Sequence, residues 1–291
     1  MSKRCLLIGG TGFLGFELNE HLNKNHYTVW TAGRSINNQI IVDLNESGSI
    51  ISAIESVDPQ LVINLAAATN VDKCEVDVQM ATSANTIIPQ RISESLSKIS
   101  KAGIHFVHVS TDQVYSGNGN HSENQVSPTN IYGLTKLAGE FAVRYPHTTI
   151  LRTNFVGRSR VLYRKSFSDW IVESFAKKLN VTLYSDVLFN PIHTSTLNSA
   201  IIEIHRKKLF GTFNYGSKGA ISKSDFALKL TSLLNLPNDN ARIGKSYENT
   251  DRVRRPLNMT MCVDLIEEKM GLKCPSIDDE ILKTAKQYNY E

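Results

Sequence analysis

A tyrosine and a lysine one helical turn apart are the residues of this chain best suited to acid–base chemistry. Tyr132 and Lys136 follow Asn130, which is a good helix N-cap. Residues four apart on a helix share a face, so the phenol and the ammonium would be neighbours. A phenol has a pKa of about 10, too high for easy proton transfer at neutral pH, and a nearby cation lowers it. The pair predicts a proton donor, although the same spacing is common on helices without a catalytic role.

A glycine-rich turn near the start of the chain has the spacing of a phosphate-binding site. The apolar run of residues 5–8 leads into residues 9–15, which fit both G-x-G-x-x-G and G-x-x-G-x-x-G. Glycines allow the tight turn, let backbone N–H groups approach a pyrophosphate, and let the following helix pack closely. The helix N-terminus then faces the anion with its partial positive charge. The pattern predicts a dinucleotide site; the alternative is an ordinary strand–turn–helix unit.

The end of the second predicted strand, residues 27–32, indicates which nicotinamide cofactor fits. An acidic residue there would bond the ribose 2′-hydroxyl and repel a 2′-phosphate. This chain has Arg34 and Ser35 at that place, and both suit a 2′-phosphate. We therefore expect NADPH (NADP+) as the cofactor, with NADH as the alternative. The competing interpretation is that Arg34 is only a solvent-facing loop residue.

The elements that must position these residues alternate between strand and helix. Strands are predicted at residues 38–44, from residue 60, and at 104–110, and the helix that contains Asn85 is expected to reach Gly103. Later in the chain, helices are predicted at 167–179, 194–205 and 222–234, and strands at 181–184 and 211–215. This order predicts an α/β fold, a Rossmann-type doubly wound parallel sheet with a smaller interleaved α/β substrate-binding part. The predicted domains are 1–155, which binds NADP, and 156–291, mainly substrate-binding, with segments that return to the sheet.

Composition excludes several classes of protein. The chain has 291 residues, a formal charge of +4 with dispersed basic residues, and no long apolar run or signal-like start. We therefore expect a cytoplasmic protein whose partners are neither a membrane nor a nucleic acid. The cysteines are scattered without a C-x-x-C pair, which argues against a disulfide framework or structural zinc. His105 and His108 point to opposite faces of one strand, so they are interpreted as packing residues.

Longer motifs carry a resemblance to a known family. They are residues 9–15, 62–73, Asn85, 108–115, 128–140, 150–153, 211–214 and 255–256. They span nearly the whole chain, and the runs Tyr-Gly-x-Thr-Lys-Leu-Ala-Gly-Glu and Ser-Thr-Asp-x-Val-Tyr are the most specific. The chain resembles the extended short-chain dehydrogenase/reductases, and among them it is most similar to the dTDP-4-dehydrorhamnose reductases. The resemblance implies NADPH-dependent reduction of the C4 ketone of a nucleotide-activated deoxysugar, in the biosynthesis of cell-surface polysaccharide sugars.

The resemblance also implies the roles of individual residues. Thr111, Tyr132 and Lys136 would form the catalytic triad: Thr111 holds the substrate carbonyl, Tyr132 protonates the alkoxide, and Lys136 bonds the nicotinamide ribose and lowers the tyrosine pKa. The implied cofactor-binding residues are Gly9, Thr11, Gly12, Phe13 and Leu14 at the pyrophosphate, Arg34 and Ser35 at the adenosine phosphate, Asp43 and Leu44 at adenine, and Ala66, Ala67, Asn85, Tyr132 and Lys136. The implied substrate-binding residues are Asn70, Asp112, Gln113, Phe155 and Arg255.

Some positions depart from the family pattern or bear on its partners. Asn154 and Phe155 stand where Ser-Trp is usual, and residues 189–193 stand where Gly-x-Pro-Thr is usual. Glu17 matches a position at which some relatives bind magnesium at a dimer contact. No second carboxylate matches it, so no metal is expected, and a homodimer is left open. Two basic loops, residues 158–165 and 252–255, are candidate contacts for the diphosphate of a sugar nucleotide.

Two other functions compete with simple reduction. One is a different reductase, an epimerase or a dehydratase of the same superfamily, and the other is a non-enzymatic NADP-binding subunit resembling the regulatory subunit of methionine adenosyltransferase. The form Ser-Thr-Asp-x-Val-Tyr, without further acid–base groups beside Thr111, favours reduction. The presence of Thr111, Tyr132 and Lys136 together disfavours a regulatory subunit.

Overall fold

A seven-stranded sheet forms the centre of the computed structural model, which describes residues 3–99, 103–249 and 251–289. The strands are β1 (Lys3–Ile8), β2 (Tyr27–Gly33), β3 (Ile40–Ile41), β4 (Leu61–Asn64), β5 (His105–Val109), β6 (Thr148–Thr153), β7 (Phe155–Val156), β8 (Val181–Tyr184), β9 (Leu188–Phe189), β10 (Ile192–His193), β11 (Gly211–Tyr215), β12 (Ile221–Ser222) and β13 (Ala241–Gly244). The order across the sheet is β11-β6-β5-β4-β1-β2-β3, and all neighbours are parallel. The predicted doubly wound parallel sheet is therefore confirmed.

Helices cover both faces of this sheet. They are α1 (Phe13–Lys24), α2 (Ser47–Val57), α3 (Val71–Val76), α4 (Val78–Thr82), α5 (Ile88–Lys98), α6 (Ile131–Ala142), α7 (Phe167–Ala176), α8 (Thr194–Lys207), α9 (Lys223–Leu233), α10 (Asp264–Met270) and α11 (Ile277–Asn289). A π-helical turn, Ser83–Ile87, joins α4 to α5, and short 3-10 turns lie at Asp112–Val114 and Ser246–Glu248. None of the helices in the described ranges is both long and apolar enough to span a membrane.

The alternation of side chains along β1 shows why the sheet needs helices on both sides. Cys5 and Leu7 pack in one cluster with the apolar faces of α1 and α8, whereas Leu6 and Ile8 pack in another with α2 and α5. Successive residues of a strand point to opposite faces, so a run that is apolar throughout must be covered twice. Full burial of each leucine or isoleucine contributes about 1.5–3 kcal/mol.

The second half of the chain builds a smaller layer and also returns to the central sheet. Helices α7, α9 and α11 enclose a separate core that includes Phe175, Phe189 and Phe226. Three two-stranded ladders, β7/β10, β9/β12 and β8/β13, accompany these helices. Strand β11 pairs with β6 at the edge of the central sheet, and α8 packs against α1. The predicted domain boundary at residue 155 stays a prediction.

Most predicted elements occur, with some changes at their ends. Strands at residues 181–184 and 211–215 are found, and Ser222 caps α9 as predicted, accepting a bond from Asp225 N at 2.9 Å. The strand predicted at 38–44 shrinks to Ile40–Ile41, because Asn38 bonds back to Ser35 O at 2.9 Å and leaves the ladder. The helix containing Asn85, predicted to reach Gly103, ends at Lys98, and Gly103 is not helical; residues 100–102 lie outside the described residues.

The two histidines of β5 are packing residues, as predicted. His105 Nε2 lies 2.7 Å from Thr149 Oγ1, and its Nδ1 lies 3.2 Å from Nδ1 of His205. On the other face, His108 Nδ1 lies 3.1 Å from Asn64 Nδ2. Burial, followed by repulsion from His205, lowers the pKa of His105 to about 3. Both rings are therefore neutral parts of the core at neutral pH.

We expect acid to destabilise the fold through His105. The unfolded chain takes up this proton at a pKa of about 6.5, whereas the folded protein does so only near its lowered pKa of about 3. The contribution of His105 to the free energy of unfolding should be complete above the unfolded pKa. This contribution should be smaller by about 2 kcal/mol at about pH 5. Urea unfolding across this range measures the fall. His105→Gln should make the fall smaller by about this amount and leave the part due to the other buried histidines, whereas the exposed-site control His26→Gln should not change it; an equal fall in both variants would contradict this assignment.

Candidate active site

The glycine turn lies at the point where the chain order of the strands reverses, between β1 and β4. Gly9 has a φ of +82° and donates its N–H to Ala32 O at 3.0 Å. A Cβ on Gly15 would overlap Gly9 O, so the predicted close packing of the last glycine is confirmed. Gly12 caps α1 without a side-chain hydrogen bond, and no acidic residue lies in the first turn. The free N–H groups and the helix dipole fit a phosphate.

Residues predicted to line the rest of the cofactor site follow the carboxyl ends of β4 and β2. Ala66 and Ala67 come directly after β4 and are partly exposed. Arg34 is exposed just beyond β2, and its guanidinium has no hydrogen-bond or ion-pair partner among the described residues. Ser35 Oγ accepts a bond from Asn37 N at 3.2 Å. The residues present therefore fit a dinucleotide that carries a 2′-phosphate.

Three other predicted cofactor residues have structural partners of their own. Asn85 is fully buried, accepts from Ala68 N at 2.8 Å and donates to Thr135 Oγ1 at 3.1 Å. Leu44 packs in the core beneath α2, while the exposed Asp43 accepts a bond from Asn45 N at 2.9 Å. Asn85 thus fixes the loop after β4 against α6. Contacts of Asn85, Leu44 and Asp43 with a cofactor stay predictions.

The three predicted catalytic residues come together in one buried place. Thr111, after β5, caps the 3-10 turn by accepting a bond from Gln113 N at 3.2 Å, and its hydroxyl is near enough to the Tyr132 phenol to affect the pKa of that group. Tyr132 and Lys136 lie on α6, which begins as predicted at Asn130, whose side chain accepts from Gly133 N at 2.9 Å. The three side chains are 2–7% exposed.

The contact between α6 and the loop after β5 depends on Gly133. A Cβ at this position would overlap the carbonyl oxygen of Gln113. Because only glycine allows this approach, any larger residue would push α6 away from Thr111. The glycine that follows Tyr132 therefore sets how closely α6 approaches the loop that carries Thr111.

Electrostatics at the triad differ in one respect from the expectation. Burial raises the pKa of Tyr132 to about 12, and the hydrogen bond with Thr111 opposes this rise. Burial lowers the pKa of Lys136 to about 8 while Glu140 raises it, and the ammonium donates to Val109 O at 2.8 Å. The expected lowering of the Tyr132 pKa is therefore outweighed by loss of solvent, and Tyr132 carries its proton at neutral pH.

A buried ion pair that the sequence analysis did not identify supports the triad. Arg152 on β6 contacts both oxygens of Glu140 on α6, at 3.1 and 3.0 Å from its Nε, and Ser110 donates to the same carboxylate. Arg152 Nη1 also donates to the Tyr115 hydroxyl at 2.7 Å. The motifs contain these residues, but nothing in their spacing indicates that they pair.

On the substrate side, the structure brings Asp112, Asn154 and Phe155 next to the triad and the glycine turn. Asp112 is 1% exposed and accepts bonds from Asn154 Nδ2 at 2.6 Å and from the Thr111 hydroxyl at 3.3 Å. The Phe155 ring lies 5.6 Å from the Phe13 ring. Burial raises the pKa of Asp112 to about 6, opposed first by the charge of Lys223. Lys223 is a second group that the sequence analysis did not single out.

Of the two basic loops, the one at residues 252–255 lies beside the catalytic helix. Asn130 Nδ2 donates to Arg254 O at 3.1 Å. Arg255 itself is bound by Asp72 at 2.8 Å, which lowers the pKa of that carboxyl. The predicted substrate residues Asn70 and Gln113 lie nearby: Asn70 caps α3 and is exposed, and Gln113 Oε1 is 3.5 Å from Asn130 Nδ2.

The other basic loop and Glu17 lie against α1 and α11. Arg160 pairs with Glu20 at 2.5 Å and Lys165 pairs with Glu173 at 2.5 Å, so local acids engage these cations. Glu17 Oε1 lies 3.5 Å from Gln287 Nε2. Within the described ranges no three His, Cys, Asp or Glu side chains converge as metal ligands do. The expected absence of a metal stays a prediction.

Comparisons with known proteins agree on one family and one fold. A probable low-salt glycan biosynthesis reductase of Haloferax volcanii is 30% identical over 250 residues, 82% of this chain and 81% of that protein. A dTDP-4-dehydrorhamnose reductase of Aggregatibacter actinomycetemcomitans is 27% identical over 304 residues, 98% of this chain and 99% of that protein. The crystal structure of the Bacillus anthracis dTDP-4-dehydrorhamnose reductase in complex with NADP has a TM-score of 0.86 at 24% identity, covering 98% of this chain and 99% of that one, and confirms the Rossmann-type fold. The family described as the RmlD substrate binding domain matches residues 3–290, and the chain therefore belongs to it.

Proposed function

We propose that this protein reduces the C4 ketone of a nucleotide-diphosphate deoxysugar with NADPH, in the cytoplasm and in the synthesis of cell-surface polysaccharide sugars. The observation that carries the proposal is the convergence of Thr111, Tyr132 and Lys136 at one buried place at the end of β5. Family membership and relatives named as dTDP-4-dehydrorhamnose reductases support the same activity. NADH as an alternative cofactor, a homodimer and the absence of a nucleic-acid partner stay predictions.

The cofactor contributes the hydride, and residues 9–15 together with Arg34 would hold its phosphates. The chain's own part is to position the ketone and to supply a proton. The Thr111 hydroxyl is held by Asp112 through a long bond of 3.3 Å, so it is readily released to donate to a carbonyl oxygen. Tyr132, which carries its proton at neutral pH, gives that proton to the same oxygen as negative charge appears there. The Lys136 ammonium stabilises the phenolate that remains.

The surroundings of Asp112 support reduction over epimerisation or dehydration. Those reactions need a further group to take or give a proton at a neighbouring carbon. Asp112 is the acidic residue next to Thr111, and its two oxygens are already bonded to Asn154 and Thr111. A carboxylate held in this way orients its neighbours instead of moving a proton.

A direct test is the oxidation of NADPH, followed with a panel of 4-keto sugar nucleotides that differ in sugar and in base. We expect turnover with at least one of them, and reduction at C4 in the isolated product. A protein that reduces none of them, gains no thermal stability from them and binds methionine adenosyltransferase tightly would be a regulatory subunit instead.

We expect Tyr132→Phe to slow turnover at saturating NADPH about 10²–10⁴-fold, because it removes the general acid. Thr111→Val should slow turnover less than Tyr132→Phe does, since it removes one hydrogen bond to the carbonyl and leaves the proton donor in place. Lys136→Met should reduce both turnover and affinity for NADPH. Retention of most activity by Tyr132→Phe would place the acid elsewhere, with Asp112 as the first candidate.

A second prediction concerns the choice of cofactor. Because Arg34 is exposed and free of partners among the described residues, it is available for a 2′-phosphate. NADPH should bind more tightly than NADH. Arg34→Ala should weaken the binding of NADPH by about 1.5–3 kcal/mol and have little effect on the binding of NADH. Titration of both cofactors measures this, with Arg242→Ala on β13 as the control. Equal affinity of the unmutated protein for NADPH and NADH would disprove the preference.

A further inference from the structure

The first residue of α9 reaches from the substrate-binding layer toward the catalytic loop. The ammonium of Lys223 lies 3.3 Å from the centre of the Phe189 ring and 4.4 Å from the centre of the Phe167 ring. Ser222 and the bond from Lys223 N to Val187 O at 2.9 Å fix the backbone at this point. The residue remains partly exposed. Two aromatic faces thus hold the cation at the edge of the site.

This ammonium has no hydrogen-bond acceptor among the residues that the structure describes. Ring faces attract a cation but do not replace the acceptors that an ammonium has in water, and a Lys side chain has three N–H donors to satisfy. Because the residue is partly exposed, these donors can be reached from solvent, and a bound ligand that offers oxygen atoms would accept hydrogen bonds from them.

Asp112 is the opposing charge that acts on Lys223, and its hydrogen bond with the Thr111 hydroxyl connects this charge to the triad. Its charge raises the pKa of Lys223, whereas burial, the larger effect, lowers that pKa to about 7. Both Asp112 oxygens already accept bonds, one from Asn154 and one from Thr111. The interaction of Lys223 with Asp112 is therefore electrostatic, and the N–H donors of the lysine stay available to a ligand.

The charges of this pair indicate which ligand oxygen fits. With Asp112 ionised and Lys223 protonated, the pair is neutral, so the ammonium is already balanced. A sugar carboxylate would place a second negative charge beside Asp112, and like charges repel strongly in a poorly hydrated site. A hydroxyl oxygen accepts the hydrogen bond without adding charge. The arrangement therefore favours a neutral, hydroxylated ring.

We propose that Lys223 is a specificity-determining residue whose ammonium donates a hydrogen bond to a ring hydroxyl of the sugar, close to the reacting carbon, and so selects a neutral hydroxylated sugar over a uronate. The assignment rests on the proposed function, because it places the sugar beside Thr111. The ring of Phe189, which is fully buried, and that of Phe167 hold the ammonium in place.

The test measures binding, so that it does not depend on turnover. Calorimetry in the presence of NADP+ compares dTDP-glucose, its 2-deoxy and 3-deoxy analogues, and dTDP-glucuronate. The unmutated protein should bind dTDP-glucose at least about 10-fold more tightly than one deoxy analogue and than the glucuronate, the factor expected for a hydrogen bond to a charged group. Lys223→Met should weaken the binding of dTDP-glucose by about the same factor and abolish its preference over that deoxy analogue.

Two further variants separate recognition from structure. Lys229→Met changes a lysine on the same helix that is exposed and pairs with Asp278 at 2.6 Å, and it should bind like the unmutated protein. Lys223→Arg keeps the charge and should keep the preference for the hydroxylated sugar. Thermal unfolding of each variant confirms that it is folded before binding is measured.

The outcomes also distinguish this inference from the proposed function. Equal weakening of all four ligands by Lys223→Met, an unchanged preference in that variant, or tighter binding of the glucuronate by the unmutated protein would overturn the role of Lys223. If the predicted affinities are found but no 4-keto sugar nucleotide is reduced, the proposed function fails and the role of Lys223 stands. A protein that binds none of the four sugar nucleotides would overturn both.

Discussion

The ion pair between Glu140 and Arg152 is the interaction on which the arrangement of the three predicted catalytic residues depends. Their side chains are 2% and 4% exposed, and the contact joins α6, which carries Tyr132 and Lys136, to strand β6 of the central sheet. Ser110, the neighbour of Thr111, donates to the same carboxylate. Removing one partner would leave an unpaired buried charge, which costs about 3–5 kcal/mol. The pair thus fixes the helix with the acid relative to the strand end with the threonine.

Close backbone contacts also hold the loops of the site against the neighbouring helices. Gly133 lets α6 touch the loop after β5, and Gly15 lets α1 touch the glycine turn, so each functional loop rests on a helix without a side chain between them. Asn85, in the π-helical turn, holds the loop after β4 against α6 through Ala68 and Thr135. Because these contacts are made by backbone and short side chains, they leave little freedom for the site to shift.

Local patterns explain why much of the fold could be predicted from the sequence, whereas the triad came from the family resemblance. Apolar runs mark the strands, Asn130 and Ser222 mark helix starts, and the glycine spacing marks the turn, because each signal acts within a few residues. The pairing of Glu140 with Arg152 and the approach of Lys223 to Asp112 join residues that are distant in the chain or in different elements. The pKa of Tyr132 was expected to be low from its neighbour four residues away, but burial, which depends on the whole fold, dominates it.

Burial gives the site a common electrostatic character. It raises the pKa of Asp112 to about 6 and lowers the pKa values of Lys223 and Lys136 to about 7 and about 8. Burial therefore brings the pKa of the acid up toward 7 and those of the two lysines down toward 7. With Asp112 ionised and Lys223 protonated, the summed charge of the two groups is zero, while the charge of Lys136 remains near the phenol of Tyr132. Because a dry site strengthens every charge interaction, this separation concentrates the positive charge where the phenolate forms.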